Sequence, residues 1–362
     1  MTTPRKLIQN ALPGPDDITR VVLPNGITVL TRSNFNSPSV IVGGYLTTGS
    51  LNDPDEQLGL SHYTALALMR GTTNRSFQQI YDTLESVGAS FGISGGTHTT
   101  GFNGRSLVED LPMVLSLLSE ILREPDFPPE QIERLRSQLL TGLAIRAQDT
   151  RDMASMTFDQ LIYPGHPYGR PDDGYPETIQ NIRRDDLSQF HHQYYGPRGM
   201  VIVVVGAIEP SQAIDEVSTI LGDWQNHTQK DTIPLPDVSP LTSPVRKEIP
   251  IPGKSQTDLV MGVLGLTRQS PDFIAASLGN NILGQFGMMG RIGDVVREQS
   301  GLAYYAYTTL NAGIGPGTWE VSAGVSPKNI EKTIDLVSKE IQRFINEPVL
   351  PDELSDSQAN YI

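Results

Sequence analysis

One histidine in the first half of the chain, His62, stands in a stretch without other metal-binding side chains. His62 lies in the helix predicted over residues 58–71, which Gly71 closes. No Asp or Glu occurs between Glu56 and Asp82, and the chain contains no cysteine. Because a catalytic zinc ion takes about three protein ligands and a water, one neutral imidazole does not hold it. We therefore expect His62 to be a satisfied interior or cleft histidine.

An arginine and a tyrosine in the second half are potential hydrogen-bond donors. Arg297 and Tyr304 are seven residues apart in the stretch RIGDVVREQSGLAYYAY (291–307). A guanidinium and a phenol can both donate hydrogen bonds to a carbonyl oxygen or to the oxyanion formed from it. The alternative from the residues alone is that Arg297 forms a surface ion pair with Glu298 or a neighbour and that Tyr304 packs in the core.

Four glycines precede this pair at three-residue intervals: Gly284, Gly287, Gly290 and Gly293. They do not resemble a phosphate cradle, because no strand–GxGxxG–helix order accompanies them. They could form a flexible loop that contacts a peptide, which makes Gly287 and Gly290 candidate substrate contacts. The alternative, which the residues favour, is that they permit a turn and close helix packing.

The hydrophobic pattern predicts a similar succession of strands and helices twice. The first half shows a hairpin at 21–30, strands at 39–50 and 200–208, a strand pair over 89–107, and helices at 58–71, 75–89, 110–122 and about 131–148. The second half shows strands at 258–266 and 318–325 and a helix at 328–344. The apolar positions align in one register: Leu111 with Ile334, Val114 with Val337, Leu118 with Ile341, Ile121 with Phe344, and Pro128 with Pro351. This repeat predicts an internal duplication.

We therefore predict an α+β fold of two homologous α/β units, each a mixed or antiparallel sheet covered by helices. The predicted boundaries are an N-terminal arm (1–18), a first unit (19–225), a Pro-rich linker (226–248) and a second unit (249–362). By the repeat, the second unit is truncated at its C-terminal end by about 85 residues. Such a unit should expose apolar surface and a sheet edge.

Charge and hydropathy restrict the partners and the location. The formal net charge of −14 disfavours nucleic acid and anionic membranes, whereas a cationic or neutral peptide remains compatible. The N-terminus has no signal-peptide core, and no apolar run is long enough to span a bilayer. We expect a cytoplasmic protein.

The helix sequence GLSHYTALALMRGT (59–72) resembles the zinc-binding helix of the pitrilysin, insulinase and mitochondrial-processing-peptidase family, which carries H-x-x-E-H. In that family the two histidines bind zinc and the glutamate activates the zinc-bound water. The resemblance aligns His62 with the first histidine, Ala65 with the glutamate and Leu66 with the second histidine. The family's third ligand, a later glutamate, falls near Thr141 or Gly142, and residues 134–148 contain no carboxylate. The resemblance thus implies a non-catalytic member that binds no metal or other cofactor itself.

The resemblance extends over nearly the whole chain, through HPYGRP (166–171), FHHQYYGPRGMVIVVVGAI (190–208) and residues 283–307. In the family, an Arg and a Tyr at the spacing of Arg297 and Tyr304 contact the substrate from the half opposite the zinc. The resemblance implies a non-catalytic subunit of a heteromeric zinc metallopeptidase, with a homologous active partner that holds the zinc and an unfolded peptide as substrate. An isolated chain could form a homodimer. Two alternatives are a purely structural assembly subunit and a self-sufficient zinc metalloendopeptidase with a relocated site.

Overall fold

The structure, a computed structural model, describes residues 14–361 apart from the side chains of Met288 and Met289. The described chain divides into two compact units. The first contains the described residues up to Thr141 together with Pro171–Pro234, and the second contains Gly142–Arg170 together with the residues from Leu235 onward. The predicted domain boundaries remain a prediction, and most of the predicted arm lies outside the described residues.

The described residues form nine strands and twelve α-helices. The strands are β1 (Thr19–Val22), β2 (Thr28–Ser33), β3 (Ser39–Leu46), β4 (Ser90–Gly95), β5 (Thr100–Leu107), β6 (Val201–Gly206), β7 (Thr257–Leu264), β8 (Ala303–Leu310) and β9 (Thr318–Val325). The helices are α1 (Leu60–Ala67), α2 (Phe77–Ser86), α3 (Leu111–Arg123), α4 (Pro129–Arg146), α5 (Thr150–Ile162), α6 (Pro176–Asn181), α7 (Arg184–Tyr194), α8 (Pro210–Leu221), α9 (Phe273–Gly284), α10 (Phe286–Gly293), α11 (Ile330–Asn346) and α12 (Pro351–Tyr361).

The first unit is built on a six-stranded sheet in the order β1-β2-β6-β3-β5-β4. Strand β6, within the apolar run predicted as a strand at 200–208, lies between β2 and β3 and is therefore central in the sheet. It runs parallel to β2 and antiparallel to β3. The predicted hairpin at 21–30 is the β1–β2 pair, whose turn contains Gly26 in a left-handed conformation (φ 95°).

Alternate residues of the first sheet face opposite environments. Val29, Val40 and Ile202 are fully buried on the face that packs against helices such as α3 and α8. The residues between them face away, and Ile41 and Tyr45 on β3 are 46% and 39% exposed. One face of this sheet is therefore covered by helices, and the other is at least partly open to solvent.

The second unit contains a three-stranded antiparallel sheet in the order β7-β9-β8. This is the order of β3-β5-β4 in the first sheet, as a duplication requires. Its core contains Val296, Ala306, Val321 and Val337, and α5 packs against β7. The mixture of helices with a six-stranded and a three-stranded sheet confirms the predicted α+β class.

Candidate functional site

Helix α1, which carries the histidine singled out above, is anchored at its N-terminus by a buried carboxylate. Asp53 Oδ2 accepts a hydrogen bond from the Gly59 amide and Oδ1 accepts one from the Ser61 amide, both at 2.9 Å. The carboxylate satisfies amides at the start of the helix and complements the positive end of its dipole. Gly59 has a φ of 93°, and a side chain there would come within 2.8 Å of Ile179 Cδ1.

The three motif positions lie on α1, but only one of them carries a metal-binding group. His62 and Leu66 are one turn apart and both half-buried, whereas Ala65 is fully buried. Strand β4 packs closely against them: a side chain at Gly95 would come within 3.0 Å of His62 Cα and 3.4 Å of Ala65 Cβ. The place where the resemblance puts a general base is therefore occupied by close packing.

Helix α4, where the third ligand would lie, packs beside α1. Tyr63 Oη donates to the carbonyl of Ile132 at 2.6 Å, and Arg70 Nη2 donates to Gln138 Oε1 at 2.7 Å. Burial raises the pKa of Tyr63 to about 12. On α4 the ligand positions are Thr141, whose hydroxyl donates to the Ser137 carbonyl, and Gly142, and both are exposed. Neither position therefore supplies a carboxylate.

No group of three or more His, Asp or Glu side chains within residues 14–361 is arranged to hold a metal ion. The ring of His191 lies largely enclosed with Nε2 2.8 Å from the carbonyl of Leu122, and burial lowers its pKa to about 4. His166 is buried with Nε2 3.0 Å from the carbonyl of Pro236. Because these two histidines have structural hydrogen bonds and no such group occurs among the described residues, the described side chains do not fit a zinc ion.

Arg297 lies in a π-helical segment (Asp294–Gln299) and forms the surface ion pair considered above. Its Nε is 3.3 Å from Glu298 Oε1, and the two side chains are 32% and 48% exposed. An ion pair this exposed contributes at most about 1 kcal/mol. The guanidinium can therefore exchange Glu298 for another acceptor at small cost.

Tyr304 is held at a β-bulge and is 83% exposed, so it does not pack in the core. Ala303 pairs with Val325 and Tyr305 pairs with Gly324, which leaves Tyr304 as an extra residue on β8. A bulge of this kind redirects the side chain of the inserted residue. The irregularity thus presents the Tyr304 phenol to solvent from within a strand.

The strand around the bulge is fixed by its neighbours. Tyr305 donates its hydroxyl hydrogen to the Asp258 carboxylate on β7, and its ring lies over Gly324, where a Cβ would meet the ring at 2.6 Å. Burial raises the pKa of Tyr305. The residue that follows Tyr304 is therefore held by a hydrogen bond and by close packing.

The two candidate glycines both adopt left-handed conformations, with φ of 60° at Gly287 and 61° at Gly290. A side chain at Gly290 would meet the Ile282 carbonyl at 2.6 Å, so this glycine allows α10 to pack against the end of α9. Nothing lies within 4 Å of a side chain at Gly287. Gly290 fits the packing interpretation, whereas Gly287 leaves open space for a contact.

Two carboxylates that hold α1 and the strand around Tyr304 in place could not be recognised from the sequence. Asp53 caps α1 from six residues before Gly59, whereas a capping side chain normally directly precedes its helix. Asp258 is far from Tyr305 in sequence, and only the strand pairing brings the two together. The one signal for Asp258 was a carboxylate at the start of an otherwise apolar predicted strand, because a partly buried carboxylate normally has a partner.

Two family models match this chain. Residues 28–169 match the model of Insulinase (Peptidase family M16), and residues 181–361 match the model of the Peptidase M16 inactive domain. The chain belongs to peptidase family M16. This confirms the resemblance to the pitrilysin and insulinase family, and the longer match is to a domain described as inactive.

Curated relatives cover most of the M16 chain. The uncharacterized zinc protease SCO5738 of Streptomyces coelicolor is 23% identical over 344 residues, which span 94% of this chain and 75% of that protein. The uncharacterized zinc protease YmxG of Bacillus subtilis is 23% identical over 341 residues, spanning 94% and 82%. Both names describe zinc proteases, so family membership alone does not decide whether this chain is active.

Solved structures share the fold of the M16 chain. A peptidase M16 inactive domain from Pseudomonas fluorescens is 25% identical with a TM-score of 0.89, over 95% of this chain and 83% of that one. A Helicobacter pylori protease has a TM-score of 0.85 at 18% identity, over 97% and 84%. A chain of Complex III2 from Candida albicans has a TM-score of 0.75 at 16% identity, over 95% of this chain and 80% of that one.

None of the helices in residues 14–361 combines the length and the apolar character that crossing a bilayer requires.

Proposed function

We propose that this M16 chain is the non-catalytic subunit of a heteromeric zinc metallopeptidase. The observation that carries the proposal is an asymmetry between two sites. Helix α1 offers His62 beside Ala65 and Leu66, whereas Tyr304 is 83% exposed on a bulge that redirects it. Neutral loss of function would have eroded both sites. Retention of Arg297 and Tyr304 supports a role that needs hydrogen-bond donors to a peptide but no zinc.

In this proposal the zinc belongs to a homologous active subunit, and this chain binds and orients the peptide. The Tyr304 hydroxyl and the Arg297 guanidinium donate hydrogen bonds to carbonyl oxygens of the substrate. Donors held in place for a developing oxyanion contribute more in the transition state than in the ground state. Arg297 gives up its ion pair with Glu298 to do so, which costs at most about 1 kcal/mol.

An unfolded peptide can also add to the edge of the first sheet. Strand β4 is the last in the order of described strands, and α1 packs beside it. A free strand edge offers backbone donors and acceptors to an extended peptide. In this arrangement the half-buried side chains of His62 and Leu66 form part of the adjoining wall rather than a catalytic centre.

Reconstitution with an M16 partner that has an intact H-x-x-E-H motif tests this proposal. We expect the two chains to co-purify and to cleave a fluorogenic peptide that neither cleaves alone. Arg297→Ala and Tyr304→Phe should each lower kcat/KM of the complex by roughly tenfold to a hundredfold. The control is Arg134→Ala, which removes an exposed arginine paired with Glu130. Unchanged kcat/KM in both site variants would refute the substrate-binding role.

The second candidate is a structural subunit of a larger assembly. It is favoured by the pairing of Arg297 with Glu298 and by the fold shared with a chain of Complex III2. In that case Arg297 and Tyr304 are relics, and their substitution leaves the activity of any complex unchanged. The same kinetic comparison therefore separates the two candidates.

The third candidate is a peptidase that acts on its own, which the names of the curated relatives favour. The described side chains offer no metal site for it. Zinc bound to the purified chain would support it. A homodimer in isolation and a cytoplasmic location belong to our proposal and are tested by sedimentation and by fractionation.

A further inference from the structure

The strands of the first sheet contain no carboxylate, although the chain as a whole is acidic. Asp and Glu number 41 against 27 Lys and Arg in the whole chain, yet strands β1 to β6 contain neither Asp nor Glu. The same strands contain three arginines: Arg20 on β1, Arg32 on β2 and Arg105 on β5. The charge of this sheet is therefore opposite to that of the chain.

All three arginines lie on the face that points away from the covering helices. Arg20 pairs directly with Leu30, which is two residues from Arg32 on the same strand and therefore on the same side. Arg32 and Arg105 occupy one row across the sheet, because Arg32 pairs with Val205, Val205 with Ile41, and Ile41 with Arg105. Paired residues share a face, and Ile41 is 46% exposed.

None of these arginine side chains forms a hydrogen bond or ion pair with a described residue. The Nε of Arg32 is buried and has no hydrogen-bond partner. Other arginines of this unit are paired: Arg123 with Asp223, Arg134 with Glu130 and Arg184 with Asp126. A partly buried guanidinium without an acceptor is costly unless a ligand supplies one.

We propose that this face binds an acidic extended segment of polypeptide. We call it the arginine face and define it by Arg20, Arg32, Arg105, Ile41 and Tyr45. The proposal rests on the proposed function and deepens it, because it names the class of peptide that the subunit selects. Carboxylates satisfy the unpaired guanidiniums, and the exposed Ile41 and Tyr45 accept apolar side chains between them.

The distance between Arg32 and Arg105 across the sheet sets the spacing that we expect between acidic residues of the bound peptide. Arg32 and Arg105 are separated by three strand spacings, which is about 14 Å. An extended peptide advances about 3.3 Å per residue, so carboxylates about four residues apart reach both arginines. The local charge favours an acidic segment, whereas the net charge of −14 by itself is compatible with a cationic or neutral peptide. That net charge still opposes a long polyanion such as nucleic acid.

Fluorescence anisotropy with the full chain tests the proposal. The probes are a labelled extended peptide with Asp or Glu at every fourth position and the same peptide with Asn or Gln there. We expect the acidic peptide to bind at least tenfold more tightly, and its affinity to fall as NaCl rises from about 50 to 300 mM. The double variant Arg20→Glu/Arg105→Glu should weaken its binding by about tenfold or more.

The matched control is Arg134→Glu, which makes the same change of charge at an exposed position on α4 and should leave binding within about twofold. If the Glu variant does not fold, as judged by circular dichroism, Arg20→Gln/Arg105→Gln replaces it. Equal binding of both peptides, equal weakening by Arg134→Glu, or tighter binding of a single-stranded oligonucleotide would overturn the proposal. Because no partner subunit is present, failure here is distinct from failure of the reconstituted peptidase.

Discussion

Helix α1 and the bulge on β8 are the two places where the resemblance puts chemistry, and they differ in how their side chains are used. On α1 the general-base position is Ala65, fully buried against β4, and the helix is firmly capped by Asp53. On β8 the Tyr304 side chain is exposed and contributes little to packing. The comparison teaches that a helix can be firmly held by capping and packing without metal ligands on it. An exposed side chain held by a bulge has no such structural reason to persist.

The largest effect is expected from a glutamate at Ala65, the position on α1 where the resemblance puts the general base. We expect Ala65→Glu to lower the free energy of unfolding by about 4 kcal/mol, because it places a carboxylate without a partner in a closely packed site. Urea denaturation followed by circular dichroism measures the change. Leu66→His, at a half-buried position on the same helix, is the control and should cost less than about half as much.

A different outcome would reverse the interpretation of α1. If Ala65→Glu were as stable as the wild type, the site would have room for the general base. A triple variant that also carries Leu66→His and Thr141→Glu should then be assayed for zinc. Stoichiometric binding would show that the zinc site was lost by substitution alone.

A second test uses pH to probe the surroundings of α1. Helix α7 packs against α1 and carries His191, whose pKa is about 4 when folded against 6.5 for the free side chain. Because the unfolded chain binds the proton more readily, stability is complete above pH 6.5 and falls as the pH drops towards 4. The expected loss from this group is about 3 kcal/mol at pH 4.

His191→Gln should remove most of this pH dependence between 6.5 and 4, and denaturation at each pH measures it. His192→Gln is the matched control, since His192 is exposed. An identical pH dependence in wild type and His191→Gln would contradict the assignment.

The smallest expected effects concern two glycines on α10 in the second unit. Gly287 and Gly290 have the same left-handed φ, but only Gly290 lies against a neighbouring backbone. Gly287→Ala should cost about 1 kcal/mol for the conformation alone, and Gly290→Ala about 2 kcal/mol more for the steric clash. Thermal unfolding measures both. Equal effects would show that α10 is not fixed by close packing at Gly290.

Much of the fold followed from periodicity. The register that aligned Leu111 with Ile334 located α3 and α11, and the apolar run at 200–208 located the central strand β6. Both signals are local, since the spacing of apolar residues and the length of an apolar run depend only on residues near one another in the sequence. The structure adds that the order β7-β9-β8 repeats the order β3-β5-β4.

The features that the sequence did not reveal depend on contacts between distant residues. Helix α5 packs with β7 in the second unit, and the hydrogen bond from Thr150 to Asp258 has no local signature. The bulge at Tyr304 inserts one residue into a strand whose composition is ordinary for a strand. The arginine face was hidden because its residues come from three strands, and net charge averages over the chain.

Metal content of the purified full chain tests the central claim most directly. After dialysis against trace zinc, mass spectrometry of the metal should find far less than one zinc per chain, and the isolated chain should not hydrolyse an unfolded peptide. Addition of an M16 partner with an intact motif should then produce activity that a chelator removes. One tightly bound zinc per isolated chain, lost together with intrinsic peptidase activity on chelation, would contradict the account.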